Sequence, residues 1–159
     1  MNLGYACINT ALHANNVMTN RTMRRKTFDT KGLDYVSELS LQNVEDLKTI
    51  VEWNNFKGIK LFRLSSQIFP WMEEYSFEDL KDFSKIKSLM VEIGQIATKA
   101  GQRLTMHPGP YHCLASPSSN VVERTIKGLN KHAEQFDMME FEPSNYNKIN
   151  IHIGGAYGD

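Results

Sequence analysis

Arg103-Leu104-Thr105-Met106-His107-Pro108-Gly109 and Ile149-Asn150-Ile151-His152-Ile153-Gly154-Gly155 are two copies of one pattern. Each is a short apolar run with β-branched residues, closed by a histidine and then by glycine two residues on. A polar residue at the carboxyl end of a buried strand, with a tight turn behind it, is how parallel α/β barrels place ligands and catalytic groups. The two histidines stand 45 residues apart, the scale of one βα unit. The repeated pattern points to a site assembled from successive strand ends.

The rest of the chain fits that rhythm. Leu3 to Ala6 reads as a first strand, and Asn9 to Asp29, almost free of periodic apolar residues, as a long loop. Leu33, Val36, Leu39, Leu47, Ile50 and Val51 recur at helical spacing, with Val44 and Phe56 consistent, and Gly58 stands just past the end. Ile59 to Leu64 is a second strand, followed by Ser65-Ser66. Ser76 with Asp79 has the spacing of a capping box and opens a helical region through Leu80, Phe83, Ile86, Leu89, Ile93 and Ile96 to Gly101. The third strand spans about Arg103 to His107. Asn120 with Glu123 caps a helix from Val121 to about Met138, and Lys148 to Ile153 is the fourth strand.

Strands alternating with helices imply a parallel sheet with right-handed crossovers. The sequence stops in Gly154-Gly155-Ala156-Tyr157-Gly158-Asp159, just past a strand. The expected fold is therefore α/β: residues 1–159 as the N-terminal half of a (βα)8 TIM barrel, whose usual size is about 250 residues. No apolar run approaches the ~20 residues that span a bilayer. The first residues lack the basic and apolar regions of a signal peptide. With only Cys7 and Cys113 there is no disulfide framework, so an intracellular, reducing setting is expected.

Formal net charge is +0, which argues against a uniformly basic nucleic-acid binder. The distribution says more than the sum. Arg21, Arg24, Arg25 and Lys26 cluster in the loop after the first strand, on the face where a barrel does its chemistry, and a local patch can hold phosphates. Arg21 is the candidate phosphate contact. Neutral imidazoles at strand ends suit manganese, zinc or iron. His107 and His152 are candidate ligands and His112 a further candidate, whereas His13 and His132 read as ordinary side chains, solvated or satisfied by backbone. Ser65 and Ser66 lack a nearby base and a nucleophile elbow, so hydroxyls that cap a turn fit them better than nucleophiles. Among the aromatics near this face (Tyr5, Trp71, Tyr75, Tyr111 and Tyr157), Tyr111 in its Pro-flanked loop is the best base-stacking candidate.

Leu3-Gly4-Tyr5-Ala6-Cys7-Ile8-Asn9, Asn20-Arg21-Thr22, Leu41-Gln42-Asn43-Val44-Glu45-Asp46-Leu47, Phe62-Arg63-Leu64-Ser65-Ser66, Met106-His107-Pro108-Gly109 and Ile151-His152-Ile153-Gly154-Gly155-Ala156-Tyr157-Gly158 together resemble the UV damage endonucleases, the UvdE family. The resemblance runs from Leu3 to Asp159. It implies a TIM barrel related to endonuclease IV that nicks DNA immediately 5′ of cyclobutane pyrimidine dimers, 6-4 photoproducts and, in some members, abasic sites. It also implies a divalent-metal cluster, manganese first, with zinc, cobalt or magnesium as alternatives.

Residue by residue, the resemblance makes His107 and His152 metal ligands. It sets Tyr5 and Asn9 facing the extruded lesion and adds Asn20 and Arg21 as DNA contacts. It puts Pro110-Tyr111 where the family carries a Gln-Tyr pair wedged into the duplex. Counting from Pro70, Glu74 replaces a family histidine ligand. The family's remaining ligands belong to the second half of the barrel, so this chain alone is expected to lack a complete cluster and to be inactive. Double-stranded damaged DNA is the expected partner, with self-association or a complementary half-barrel covering the sheet, and no membrane. The rival readings are a sugar-isomerase-like metal barrel and a non-catalytic half-barrel.

Overall fold

Strand β2 (Leu61–Leu64) carries the alternation that organises the sheet: Phe62 and Leu64 are buried, Leu61 and Arg63 only partly. Strand β1 (Gly4–Ala6) pairs with one edge of β2, β3 (Arg103–Met106) with the other, and β4 (Lys148–Ile149) lies beyond β3. All three pairings are parallel. The structure is a computed structural model and describes residues 3–151. Four helices connect and follow the strands: α1 (Thr10–His13), α2 (Arg25–Phe56), α3 (Phe83–Ala100) and α4 (Ser119–Met138).

Strand order follows chain order, β1-β2-β3-β4, so the winding never reverses. Right-handed crossovers then bring the connecting helices to one face of the sheet. Register aligns Tyr5, Phe62 and Leu104 in one row and Leu64, Met106 and Ile149 in another. These rows face the helices. Phe62, Leu64, Leu104 and Met106 are buried in one cluster with Val44, Leu47 and Ile50 of α2 and Ile86, Met90 and Ile93 of α3. Each such side chain contributes ~1.5–3 kcal/mol by leaving water. The opposite face carries Ala6, Arg63, Thr105 and Lys148 in register. This is the α/β, singly wound parallel architecture expected from the sequence.

Several boundaries differ from the expectation. The stretch Asn9 to Asp29 is not all loop: Thr10–His13 is helical, with Asn9 Oδ1 accepting the Leu12 N–H at 3.1 Å, and α2 begins at Arg25. Neither piece has apolar periodicity, because a one-turn helix rests on a single cap and the first turns of α2 are largely exposed. Inside α2, Gly32 breaks the helix at φ 63° and ψ −161°, a conformation open essentially to glycine alone. Phe56 is 82% exposed, because it lies in the last turn, beyond the stripe that meets the sheet. The Ser76/Asp79 capping box is present, but it closes a 3₁₀ turn, Phe77–Asp79, with α3 following from Phe83. Helix α4 starts at Ser119 behind Ser118, two residues before the expected start. The expected stops at Gly58 and Gly101 hold, with φ of 69° and 59°.

Helix α3 meets the end of α4 at Gly94. A Cβ there would run into the Met139 carbonyl oxygen and carbon, main-chain atoms that cannot swing aside. Helix propensity alone makes Gly→Ala stabilising by about 1 kcal/mol. Overpacking costs ~1–3 kcal/mol or more, so Gly94→Ala is expected to be net destabilising, with the urea midpoint falling at unchanged m-value. A raised midpoint would show that the close approach of α3 and α4 is wrong.

Candidate functional site

Two side chains of α2 tie down the loops at the carboxyl ends of β1 and β2. Asn43, fully buried, accepts the Arg21 N–H on Oδ1 at 3.0 Å. Its Nδ2 donates to the carbonyls of Arg21 (2.9 Å) and Ile68 (3.0 Å). Nearly one turn on, Asp46 accepts the Met18 N–H at 2.9 Å and pairs with the Arg21 guanidinium at 2.7 Å. That guanidinium also donates to the carbonyls of Met18 and Asn16. Arg21, expected at a phosphate, is therefore a structural clasp. Its charge is engaged inside the loop because Asp46 and two inward carbonyls meet it there. Asn20 lies half-buried in the same loop.

Next along the rim, the Arg25 guanidinium lies over the rings of Phe28 and Trp71 at 5.3 and 5.4 Å and pairs with Asp29 at 2.8 Å and Glu74 at 3.2 Å. Trp71 is held in the left-handed region (φ 57°) and donates its indole N–H to the Met23 carbonyl. Of the basic cluster, Arg24 and Lys26 remain exposed. Tyr75 is buried, its hydroxyl on the Pro70 carbonyl.

The loops after β2 and β3, with α4, enclose a cleft of about 510 Å³ lined by Ser66, Gln67, Trp71, Glu73, Tyr111, His112, Arg124 and His132 among others. On its wall His112 Nε2 meets Glu73 Oε1 at 2.9 Å, and His112 Nδ1 meets the Gly109 carbonyl at 3.2 Å. The hydrogen bond to Glu73 raises the His112 pKa, and the same bond holds the Glu73 carboxyl below its usual range. The His132 ring stands edge-on to His112, centroids 6.1 Å apart. Burial, and then the neighbouring His112 charge, push it down to about 4.

His107 directly follows β3, half-buried, with Nδ1 at 2.6 Å from the Asn150 carbonyl beyond β4. A backbone acceptor on one ring nitrogen fixes the tautomer and aims the other, the usual way a metal-ligating imidazole is oriented. His152, Tyr157 and the closing glycines lie outside the described residues. Glu74 is exposed and pairs with Arg25 at 3.2 Å, whereas Glu73 is the carboxylate on His112. Among the described residues, no group of three or more His, Cys, Asp or Glu side chains is gathered to hold a metal ion. His107 thus fits as one ligand, and the described residues do not make a complete centre.

Tyr5 and Asn9 are placed differently from the expectation of lesion-facing residues. Register sets Tyr5 beside the buried Phe62, so its ring lies on the helix side, 4.9 Å from that of Phe62. Its hydroxyl donates to Asn54 Oδ1 at 2.7 Å and accepts from Asn9 Nδ2 at 2.8 Å, and Asn54 continues to the buried Gln102. Asn9, 4% exposed, spends its oxygen capping α1. Ser65 is buried and accepts the Gln67 N–H, the turn-capping role. Tyr111 is 89% exposed and Pro110 beside it is exposed.

Glu73 is not among the expected site residues, and His132, expected as solvated or satisfied by backbone, is 1% exposed against His112. A signal for both existed. The buried stripe of α4 runs Thr125, Gly128, His132, Gln135, a polar inner face at helical spacing that needs polar company from elsewhere.

The titrations oppose one another. His112, raised, contributes stability that is full below the unfolded-state value near 6.5 and is lost as pH rises through its folded value. Glu73, lowered, contributes above about 4.3 and loses this as pH falls through its folded value. His132 refuses a proton that the unfolded chain takes, so it removes stability as pH falls from about 6.5 to about 4. His132→Gln should lose less thermal midpoint than the parent as pH falls from 6.5 to 4.5, and His112→Gln should lose less than the parent as pH rises above 6.5, where the parent gives up the His112 contribution. Identical slopes in thermal scans would exclude both assignments.

With this geometry in hand, the chain can be set beside known proteins. The model for the family described as UV-endonuclease UvdE matches residues 1–159. A UV-damage endonuclease of Schizosaccharomyces pombe is 39% identical over 160 residues, covering 98% of this chain and 26% of that protein. A UV DNA damage endonuclease of Clostridium perfringens is 33% identical over 159 residues, covering all of this chain and 36% of the relative. The crystal structure of SacUVDE superposes with a TM-score of 0.83 at 30% identity, covering 98% of this chain and 50% of that one. The chain therefore spans half or less of the length of these relatives, in the fold of half of a TIM-barrel-like structure. It belongs to the UV-endonuclease UvdE family.

Proposed function

We propose that this chain is the N-terminal half of a barrel endonuclease for intracellular DNA repair, one that binds damaged duplex DNA and nicks it 5′ of cyclobutane pyrimidine dimers and 6-4 photoproducts. The observation that carries the reading is Tyr111: a large ring, 89% exposed, at the edge of a strand-end cleft and four residues past His107. An aromatic face held in water at a rim gains by stacking on an unpaired base, worth ~1–3 kcal/mol per base. Arg24 and Lys26, exposed at the start of α2, supply charge for the phosphate backbone, a contact that positions DNA without reading it. Family membership supports the same reading.

Divalent metal ions, manganese first, complete the proposal. His107, with His152 as the resemblance implies, would hold such an ion, and Glu74 would have to exchange Arg25 for it. The ion when bound supplies a Lewis acid for the phosphodiester and a water acidified for attack. The residues of this chain orient the imidazole through Asn150, present Tyr111 to the duplex and hold the rim loops through Asn43 and Asp46.

Ligands from further strands are required for cutting, so the chain alone is expected to bind irradiated duplex without nicking it. Mixing it with the C-terminal half of the Schizosaccharomyces pombe relative, which would cover the open sheet face, should restore Mn²⁺-dependent nicking of irradiated plasmid, abolished by a chelator. Tyr111→Ala should weaken binding to irradiated duplex by about tenfold or more while leaving undamaged duplex nearly unaffected. Equal retention of irradiated and undamaged DNA by chain and mixture, with no nicking of either, overturns the proposal. Conversion of an aldose to a ketose by the mixture would favour a sugar-isomerase-like barrel.

A further inference from the structure

The loop that carries Tyr111 is closed by a turn across that residue and tethered to its neighbours just after it. His112 closes a turn within the loop, its N–H donating to the Gly109 carbonyl at 3.1 Å and its Nδ1 meeting the same oxygen at 3.2 Å. Its Nε2 reaches out of the loop to Glu73 Oε1, 2.9 Å away on the 3₁₀ turn Met72–Glu74 that follows β2. Both ring partners are acceptors, so the two ring nitrogens both donate. One residue on, the Cys113 N–H donates to Thr125 Oγ1 at 3.0 Å, and that hydroxyl donates to the Val121 carbonyl of α4.

The imidazole fits because α4 has no side chain beneath it. A Cβ on Gly128 would overlap His112 Nε2 and crowd Glu73 Oε1. Gly128 is mid-helix, where glycine costs about 1 kcal/mol relative to alanine. The bare position is unfavourable for the helix and is matched by what it admits. Three segments far apart in sequence, the β2 loop, the β3 loop and α4, join around one ring. The loop tip they hold bears an exposed aromatic with proline on its other side.

We infer that His112, seated on Gly128 and paired with Glu73, is a positioning residue that holds the Tyr111 ring in the orientation from which it stacks against the damaged duplex. The inference rests on the reading of Tyr111 as a base-contacting residue. The clamp itself is a property of this chain and can be tested without DNA.

The test uses 3-fluorotyrosine placed at position 111, with position 5 as control, observed by ¹⁹F NMR in the parent, Gly128→Ala and His112→Gln chains. Gly128→Ala improves helix propensity, and its Cβ meets side-chain ends that can swing aside rather than the main chain that faces Gly94, so loss of folding does not explain its effect. In both variants the position-111 signal is expected to narrow and move toward the free-tyrosine shift, with the position-5 signal unchanged. Binding to irradiated duplex should fall about tenfold in each variant. In a Tyr111→Ala background, the same substitutions should add no further loss. An unmoved position-111 signal overturns the inference. So does a binding loss that adds in full to that of Tyr111→Ala, because His112 would then contact DNA on its own account. If the parent shows no preference for irradiated DNA, the repair reading fails, while the ¹⁹F signals still decide whether His112 holds the ring.

Discussion

Asn43 is the point on which the rim depends. One buried amide joins α2 to main-chain groups of two loops that are 47 residues apart in the chain, Arg21 and Ile68. Every polar atom it presents has a partner on that short list, and a buried polar group left unmet costs ~1–3 kcal/mol. The clasp is therefore specific as well as stabilising. From it follow the Arg21–Asp46 pair, the placement of Met23 under the Trp71 indole, and the turn that pairs Glu73 with His112 and Glu74 with Arg25.

The sheet imposes the second constraint. Because its order never reverses, the apolar rows of β1 to β3 meet one helix layer, and the other face presents Arg63, Thr105 and Lys148. A parallel sheet is ordinarily covered on both faces, and half the length of the SacUVDE chain has no counterpart here. The alternation also decides a chemical point. Tyr5 shares its row with Phe62, so its hydroxyl joins Asn9, Asn54 and Gln102 in a network under the helices. These polar groups sit near the strand end but brace the scaffold.

At the cleft, electrostatics and packing serve one another. The Glu73–His112 pair sits over a glycine, and His132 stays neutral because burial and the neighbouring charge both oppose protonation. The Glu73–His112 pair is charge-assisted in the pH range where His112 keeps its proton. It leaves Tyr111 as the exposed aromatic of the β3 loop.

The βαβαβαβ order, the positions of the first three strands, the start of the fourth at Lys148, the helix stops at Gly58 and Gly101 and the family were legible in the sequence, because each is written in local periodicity, turn chemistry or ordered motifs. His107 at a strand end and Tyr111 in an exposed loop were legible for the same reason. What stayed hidden was who pairs with whom. Arg21 reads as free charge until Asp46 is seen beside it. Tyr5 reads as a rim residue until register sets it next to Phe62. His132 reads as solvated or satisfied by backbone until Glu73, 59 residues away, is found on the same wall. Local signals determine elements and exposed loops, whereas the role of a polar side chain is decided by partners that only the folded chain brings within hydrogen-bonding distance.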